Sequence, residues 1–139
     1  REVEYFKHKN AMLQYIKLSY QGIQFGSTVN ASSMEYLHFD VWTADATSID
    51  IFPISIGTGE KKVTKTLVKD QWNSFDIPLS DFTSQGLSMA DLHQFKIVGL
   101  PWAGGTVFID NIYFYKVPSP TTMLPTSSIS SFENYSRLF

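Results

Sequence analysis

MEYLHFDVWTA, residues 34–44, alternates without a break. Leu37, Phe39 and Val41 fall on one side of an extended chain. Tyr36, His38, Asp40 and Trp42 fall on the other. A period of two with one apolar side is the signature of a half-buried β-strand, whereas a helix would scatter these residues around its axis.

Working outward, the rest of the chain reads the same way. MLQYIKLSY (12–20) is a strand-length mixture of apolar and polar residues, with a turn expected at Gly22 and Gly26 of QGIQFG. SIDIFPISI (48–56) is a strand interrupted by Pro53, which predicts an edge, a bulge or a strand start. KKVTKTLV (61–68) follows, its Lys61, Lys62, Lys65 and Lys69 reading as a solvated edge strand and hairpin. QWNSFDIPLSDF (71–82) holds a strand that stops at Pro78 and then a single helical or 3₁₀ turn. DLHQFKIVGL (91–100) and TVFIDNIYFYK (106–116) are the last strands, and only GLSMADLH (86–93) suits a short helix. Short strands separated by turn signals predict an all-β fold, an antiparallel β-sandwich or barrel.

The length of 139 residues suits one domain with a real core. After Val117 the composition shifts to PSPTTMLPTSSISS, a Pro/Ser/Thr-rich linker or strap, before FENYSRLF restores aromatic residues. The expected division is therefore a sandwich over 1–117 and a linker or strap with an aromatic end over 118–139. Charged residues are 17% of the chain, and 11 basic against 13 acidic residues leave a net charge of −2. No basic field exists to gather nucleic acid. No apolar run is long enough to cross a bilayer as a helix. The absence of cysteine excludes disulfides and thiol chemistry. Two sequons, at Asn30 and Asn134, are present.

No catalytic motif stands out. His8, His38 and His93 lack metal-ligand spacing, and there is no nucleophile elbow or phosphate loop. The carboxylate pairs Asp40 with Asp45 and Asp76 with Asp81 read as surface or turn residues. The polar side of the strands is more telling. Tyr36, His38, Asp40 and Trp42, with Gln94 and Lys96 of the HQFKIVG strand, would supply aromatic rings, an imidazole, a carboxylate, an amide and an ammonium to a sheet surface. Rings stack on the C–H faces of pyranoses and planar polar groups bind their hydroxyls. Trp102, in the Pro/Gly loop GLPWAGGT, reads as a contact residue, and Trp72 as a packed corner plug.

TVFIDNIYFYK sets a carboxylate, Asp110, inside a strand that is largely apolar on both sides. A strand covered on both faces is expected, with Asp110 inward or at a covered edge. Such a carboxylate must be paired or bind a hard cation such as Ca²⁺, and an ordinary bond to backbone amides in a neighbouring loop is the alternative.

SSMEYLHFDVWTADATSIDIFPIS, WNSFDIPLSDF, LHQFKIVG and TVFIDNIYFYK together resemble the jelly-roll carbohydrate-binding modules attached to bacterial polysaccharide-degrading enzymes. The type most similar occurs beside laminarinases in marine and gut Bacteroidetes, and the resemblance covers roughly residues 12–116. It implies a non-catalytic jelly roll that holds an enzyme or surface protein on a polysaccharide, of which a β-glucan is the leading candidate. It further implies a secreted or cell-surface setting, linked catalytic or anchoring domains, a structural calcium on Asp110, and a glycan on the face of His38, Asp40 and Trp42. The same resemblance makes Trp72 structural. Such modules usually open with more chain than Arg1 to Ala11 provides, so the resemblance implies an edge strand that is lacking, or borrowed from FENYSRLF or another chain. The alternative function is a structural or adhesion sandwich without sugar binding.

Overall fold

The computed structural model describes residues 12–117 and 136–137. The chain runs β1 (Leu13–Tyr15), β2 (Tyr20–Val29), β3 (Tyr36–Thr43), β4 (Ser48–Ser55), β5 (Gly59–Glu60), β6 (Val63–Thr66), β7 (Gln71–Pro78), α1 (Ser80–Thr83), β8 (Leu92–Leu100), β9 (Val107–Lys116) and β10 (Ser136–Arg137). Two antiparallel five-stranded sheets result. Sheet A has the order β1-β9-β3-β7 with β10 also on β9, and sheet B the order β2-β8-β4-β5 with β6 also on β4. This is the antiparallel sandwich of the two folds, sandwich or barrel, expected from the series of short strands and turn signals.

Leu37, Phe39 and Val41 of β3 are buried as expected. They share the core with Ile77, Ile109 and Phe114 of sheet A and with Ile51, Phe95 and Ile97 of sheet B. The long strands β2, β3, β4, β7, β8 and β9 each give one side to this core, so the other sides of sheets A and B point away from each other. That geometry decides which polar side chains can share a ligand.

Four local expectations change. The segment around Gly22 and Gly26 is not a turn. The reversal comes earlier, at Lys17, whose φ is 50°, and β2 runs through both glycines. The expected helix over 86–93 does not form. Leu87, Met89 and Leu92 are buried at near-alternate positions, an extended pattern, and the helical turn lies earlier, just after Pro78. Pro53 lies within β4, which is flanked on both sides. On its outer edge, however, β5 ends opposite Ile54 and β6 begins opposite Ile51, so a residue without an N–H falls at the gap between them.

The fourth change concerns TVFIDNIYFYK, which is not covered on both faces. Opposite β3, Asp110 pairs with Asp40 and Tyr113 with His38, so the chain gains one residue between those pairs. This is a β-bulge. Before it, Val107 and Ile109 face the core; after it, Ile112 and Phe114 do. Asn111 absorbs the extra step with φ 53°, a left-handed conformation in which asparagine is enriched and a β-branched residue is an outlier. Its side-chain Nδ2 donates to Asp40 Oδ2 at 2.8 Å. Asn111→Val should therefore lower the unfolding free energy in denaturant titration by about 2 kcal/mol, from left-handed strain plus the lost bond. Asn111→Gly should lose about half as much, because its backbone is unstrained. Equal stability of Asn111→Val and wild type would refute this role.

On its free edge β9 is met by β1 opposite Val107–Ile109 and by β10 opposite Tyr115–Lys116. Residues 136–137, within the expected C-terminal strap, thus supply a short strand of sheet A. The remainder of the expected linker, and the sequon at Asn134, lie outside the described residues.

Candidate functional site

The outward side of sheet A is built from rows across β7, β3 and β9. Trp72, Trp42 and Phe108 form one row; Ser74, Asp40 and Asp110 the next; Asp76, His38 and Tyr113 the third; Pro78, Tyr36 and Tyr115 the last. The central rows are heavily bonded. The His38 ring lies with Nε2 2.9 Å from Asp40 Oδ1 and Nδ1 2.8 Å from Asp76 Oδ1, and stacks on Tyr113 with centroids 4.9 Å apart. Ser74 Oγ also donates to Asp40 Oδ1. Tyr115 donates its hydroxyl to Asp76 Oδ1 at 2.9 Å. Burial first, and then the Asp76 carboxylate, push the Tyr115 phenol well above its usual range, so it remains the donor. Most polar atoms of this strip are satisfied by one another.

Asp110 belongs to this outward side, not to the core. Its Oδ1 accepts the backbone N–H of the next residue, Asn111, at 2.8 Å, and not an amide of a neighbouring loop. Among the described residues no three His, Cys, Asp or Glu side chains converge as metal ligands, and the nearest carboxylate in register, Asp40, is occupied by Ser74, His38 and Asn111. The described side chains around Asp110 do not form a calcium cage.

Gln94 and Lys96 lie on the other sheet. β8 is a strand of sheet B, so these two residues face away from Tyr36, His38, Asp40 and Trp42 and cannot join them in one site. Neither do Trp42 and Trp102 share a groove. Alternation reveals which residues leave the core but not which sheet carries them.

On the outward side of sheet B, the rows across β2, β8 and β4 are Tyr20, Val98 and Asp50; Gly22, Lys96 and Phe52; and Gln24, Gln94 and Ile54. Trp102, in the β8–β9 loop, brings its ring to 6.0 Å from that of Tyr20. Both rings are open to solvent, Tyr20 at 61% and Trp102 at 60% exposure. Gly22 is needed for what lies beside it. A Cβ there would stand 2.3 Å from Gln94 Nε2, so only glycine lets the Gln94 amide lie across β2. Gln24 carries a second amide next to it, 3.5 Å from Gln94 Oε1. Lys96 packs its ammonium 4.2 Å over the Phe52 ring and 2.6 Å from Glu60 Oε2, and Lys62 sits 3.3 Å from Asp50 Oδ2. Lys96 and Lys62 are each held beside an anion.

Tyr20 and Gln24 escape a reading that takes Gly22 as a turn. The available signal is the glycine itself, which inside a strand marks close approach of another group. Trp72 is also corrected. It is 47% exposed on the outward side of β7, and the buried plug at that corner is its neighbour Asn73.

No protein-family model and no curated protein matches the sequence. Among solved structures, a family 30 carbohydrate-binding module of a cellulosomal cellulase from Clostridium thermocellum superposes with TM-score 0.53, 15% identity and 81% of each chain covered. A family 11 module of a cellulosomal cellulase of the same organism gives TM-score 0.51 and 18% identity over 74% of this chain and 72% of that one. Another structure of a family 11 module from this organism, in complex with a β-1,3-1,4-mixed-linked tetrasaccharide, gives TM-score 0.51 and 13% identity over 82% of this chain and 96% of that one. At such identities the likeness establishes the jelly-roll sandwich fold.

Proposed function

We propose that this chain is a non-catalytic carbohydrate-binding module that holds a neutral polysaccharide, a β-glucan, on the outward side of sheet B. The observation that carries the reading is the pair Tyr20 and Trp102, two aromatic rings 6.0 Å apart and more than half exposed. They lie at the end of a strip bearing the Gln24 and Gln94 amides and the Lys96–Glu60 pair. Nothing in the core requires either ring. Side by side they offer the flat apolar surface on which pyranose rings stack, and the amides offer donors and acceptors for vicinal hydroxyls. Because Lys96 and Lys62 are each neutralised by a neighbouring carboxylate, the surface suits an uncharged glycan better than a uronate or sulfate polymer. The tetrasaccharide held by the family 11 neighbour is a ligand of this neutral kind.

In this reading the module is joined to a catalytic or anchoring domain of a secreted or cell-surface protein, of the type found beside bacterial laminarinases. Affinity electrophoresis through gels containing mixed-linked β-glucan, laminarin or hydroxyethylcellulose tests the reading. Retardation by at least one neutral glucan, and none by alginate, is expected. Unretarded migration through all the neutral glucans would overturn it and favour the structural or adhesion sandwich.

A further inference from the structure

Lys96 stands at the centre of the sheet B surface, on β8, level with Gly22 of β2 and Phe52 of β4. On the Gly22 flank the space is taken by the Gln94 amide, whose Nε2 lies 2.3 Å from where a Cβ would stand. That nitrogen is a donor and offers an ammonium nothing. The Lys96 ammonium lies on the other flank, 4.2 Å over the Phe52 ring and 2.6 Å from Glu60 Oε2. The turn between β4 and β5 puts Glu60 there. Asp91 accepts the Ser55 hydroxyl at 2.6 Å and the Gly57 N–H at 2.8 Å, which pins that turn to the start of β8. Gly59 then takes a left-handed backbone, φ 84°, and Glu60 follows opposite Ile54 on the outward side. Glu60 is a fixed charge. The other ion pair of the surface differs in kind. Asp50 is 5% exposed and also accepts the Thr64 hydroxyl at 2.6 Å, so it ties β4 to β6. The Glu60 side chain is 40% exposed, and among the described residues its partner is Lys96.

We propose that Glu60 is the specificity-determining residue of this surface: it draws Lys96 onto Phe52, cancels its charge, and so excludes carboxylate-bearing polysaccharides. The proposal rests on the reading of sheet B as a glycan surface and names the residue that makes it select neutral chains. A uronate approaching the strip meets two obstacles. Its carboxylate is repelled by Glu60, and Lys96 is already paired, so the attraction that would offset the repulsion is spent. A neutral chain loses nothing by this arrangement, because its hydroxyls bond to the Gln24 and Gln94 amides. With Glu60 replaced by a neutral residue, no anion holds the ammonium over Phe52. It then becomes available to a carboxylate lying beside Gln94, between that amide and the Tyr20–Trp102 rings.

Titration calorimetry with mixed-linked β-glucan and with laminarin, each as the parent polymer and carboxymethylated, tests the proposal. Wild type should prefer the parent. Glu60→Gln should shift the ratio of affinities toward the carboxymethylated polymer by about fivefold at low salt, and Glu60→Thr at least as far. The shift should vanish at about 0.5 M salt, where screening shortens to a few ångströms, and also when Lys96→Met is added. A loosened turn would instead weaken binding of both polymers alike. An unchanged ratio, or an equal loss on both polymers, in Glu60→Gln and Glu60→Thr would overturn the proposal and, with wild type still binding the parent, leave the glycan reading standing. A shift that survives Lys96→Met would overturn it too, since loss of the Glu60 charge alone would then account for the change. Failure of wild type to bind either parent polymer would overturn the glycan reading itself, and this proposal with it.

Discussion

Asn73→Ala is expected to lower the thermal midpoint by about 12 °C. Asn73 is 8% exposed and ties the corner where the β6–β7 connection meets β3. Its Oδ1 accepts the Val68 N–H at 2.9 Å. Its Nδ2, with two N–H groups, is shared among the carbonyls of Val41 at 3.2 Å, Val68 at 2.9 Å and Gln71 at 3.1 Å. Alanine removes all of these and leaves buried backbone groups without partners. Each such group costs about 1–3 kcal/mol, and with partial rescue by water near exposed Val68 the total should be about 3 kcal/mol. A kilocalorie shifts the midpoint by roughly 4–8 °C in a domain of 60–100 residues and 2–4 °C in one of 150–250, so about 4 °C here. Asn73→Asp keeps the shape but turns a donor toward carbonyls into an anion. It should be at least as damaging at neutral pH and recover when the carboxyl is protonated. A shift below about 3 °C for Asn73→Ala would show that solvent replaces the amide and that the corner does not depend on it.

The corner shows what local sequence carries and what it hides. In QWNSFDIPLSDF the bulk of Trp72 invites burial, yet the strand period allows only one of Trp72 and Asn73 to face inward. Ile77 and Phe75 share the parity of Asn73, so the inward choice was available from alternation. Size alone pointed the other way. The bulge was similarly written in the chain. Val107 and Ile109 are in phase with each other, Ile112 and Phe114 are in phase with each other, and the two sets differ by one residue across Asp110–Asn111. Read as one continuous strand, those sets give two apolar faces; read as a strand with one residue inserted, they give a single core face and an outward Asp110.

The candidate site was less legible for a different reason. His38, Asp40 and Trp42 on β3, and Gln94 and Lys96 on β8, each announce an outward side by alternation. Whether two outward sides coincide depends on strand order, which is set by long-range pairing: β8 between β2 and β4, β9 between β1 and β3. No local pattern encodes that order. Tyr20 was hidden because its strand contains two glycines, and the reason for Gly22 lies on Gln94, far along the chain.

Tyr20→Ala/Trp102→Ala should abolish retention on neutral β-glucan through sheet B while leaving the thermal midpoint within about 2 °C of wild type. The small stability effect follows from exposure: at 61% and 60% exposed, these rings bury little apolar area on folding, and what alanine forfeits in area is a fraction of a core truncation. The large binding effect follows from the same exposure, because a bound pyranose face would remove both rings from water. Aromatic residues at the centre of a contact commonly contribute about 2 kcal/mol or more each, so each single variant should weaken hexasaccharide binding about 30-fold and the pair about 10³-fold at that surface. Because the rings lie 6.0 Å apart, they can contact one glycan together, and the two losses need not add. Trp102→Phe separates stacking from size: a smaller ring in the same place should recover most of the affinity. If Trp102→Phe behaves as Trp102→Ala while Gln94→Ala costs more than either, hydrogen bonding by the amides, not the aromatic pair, is what holds the glycan.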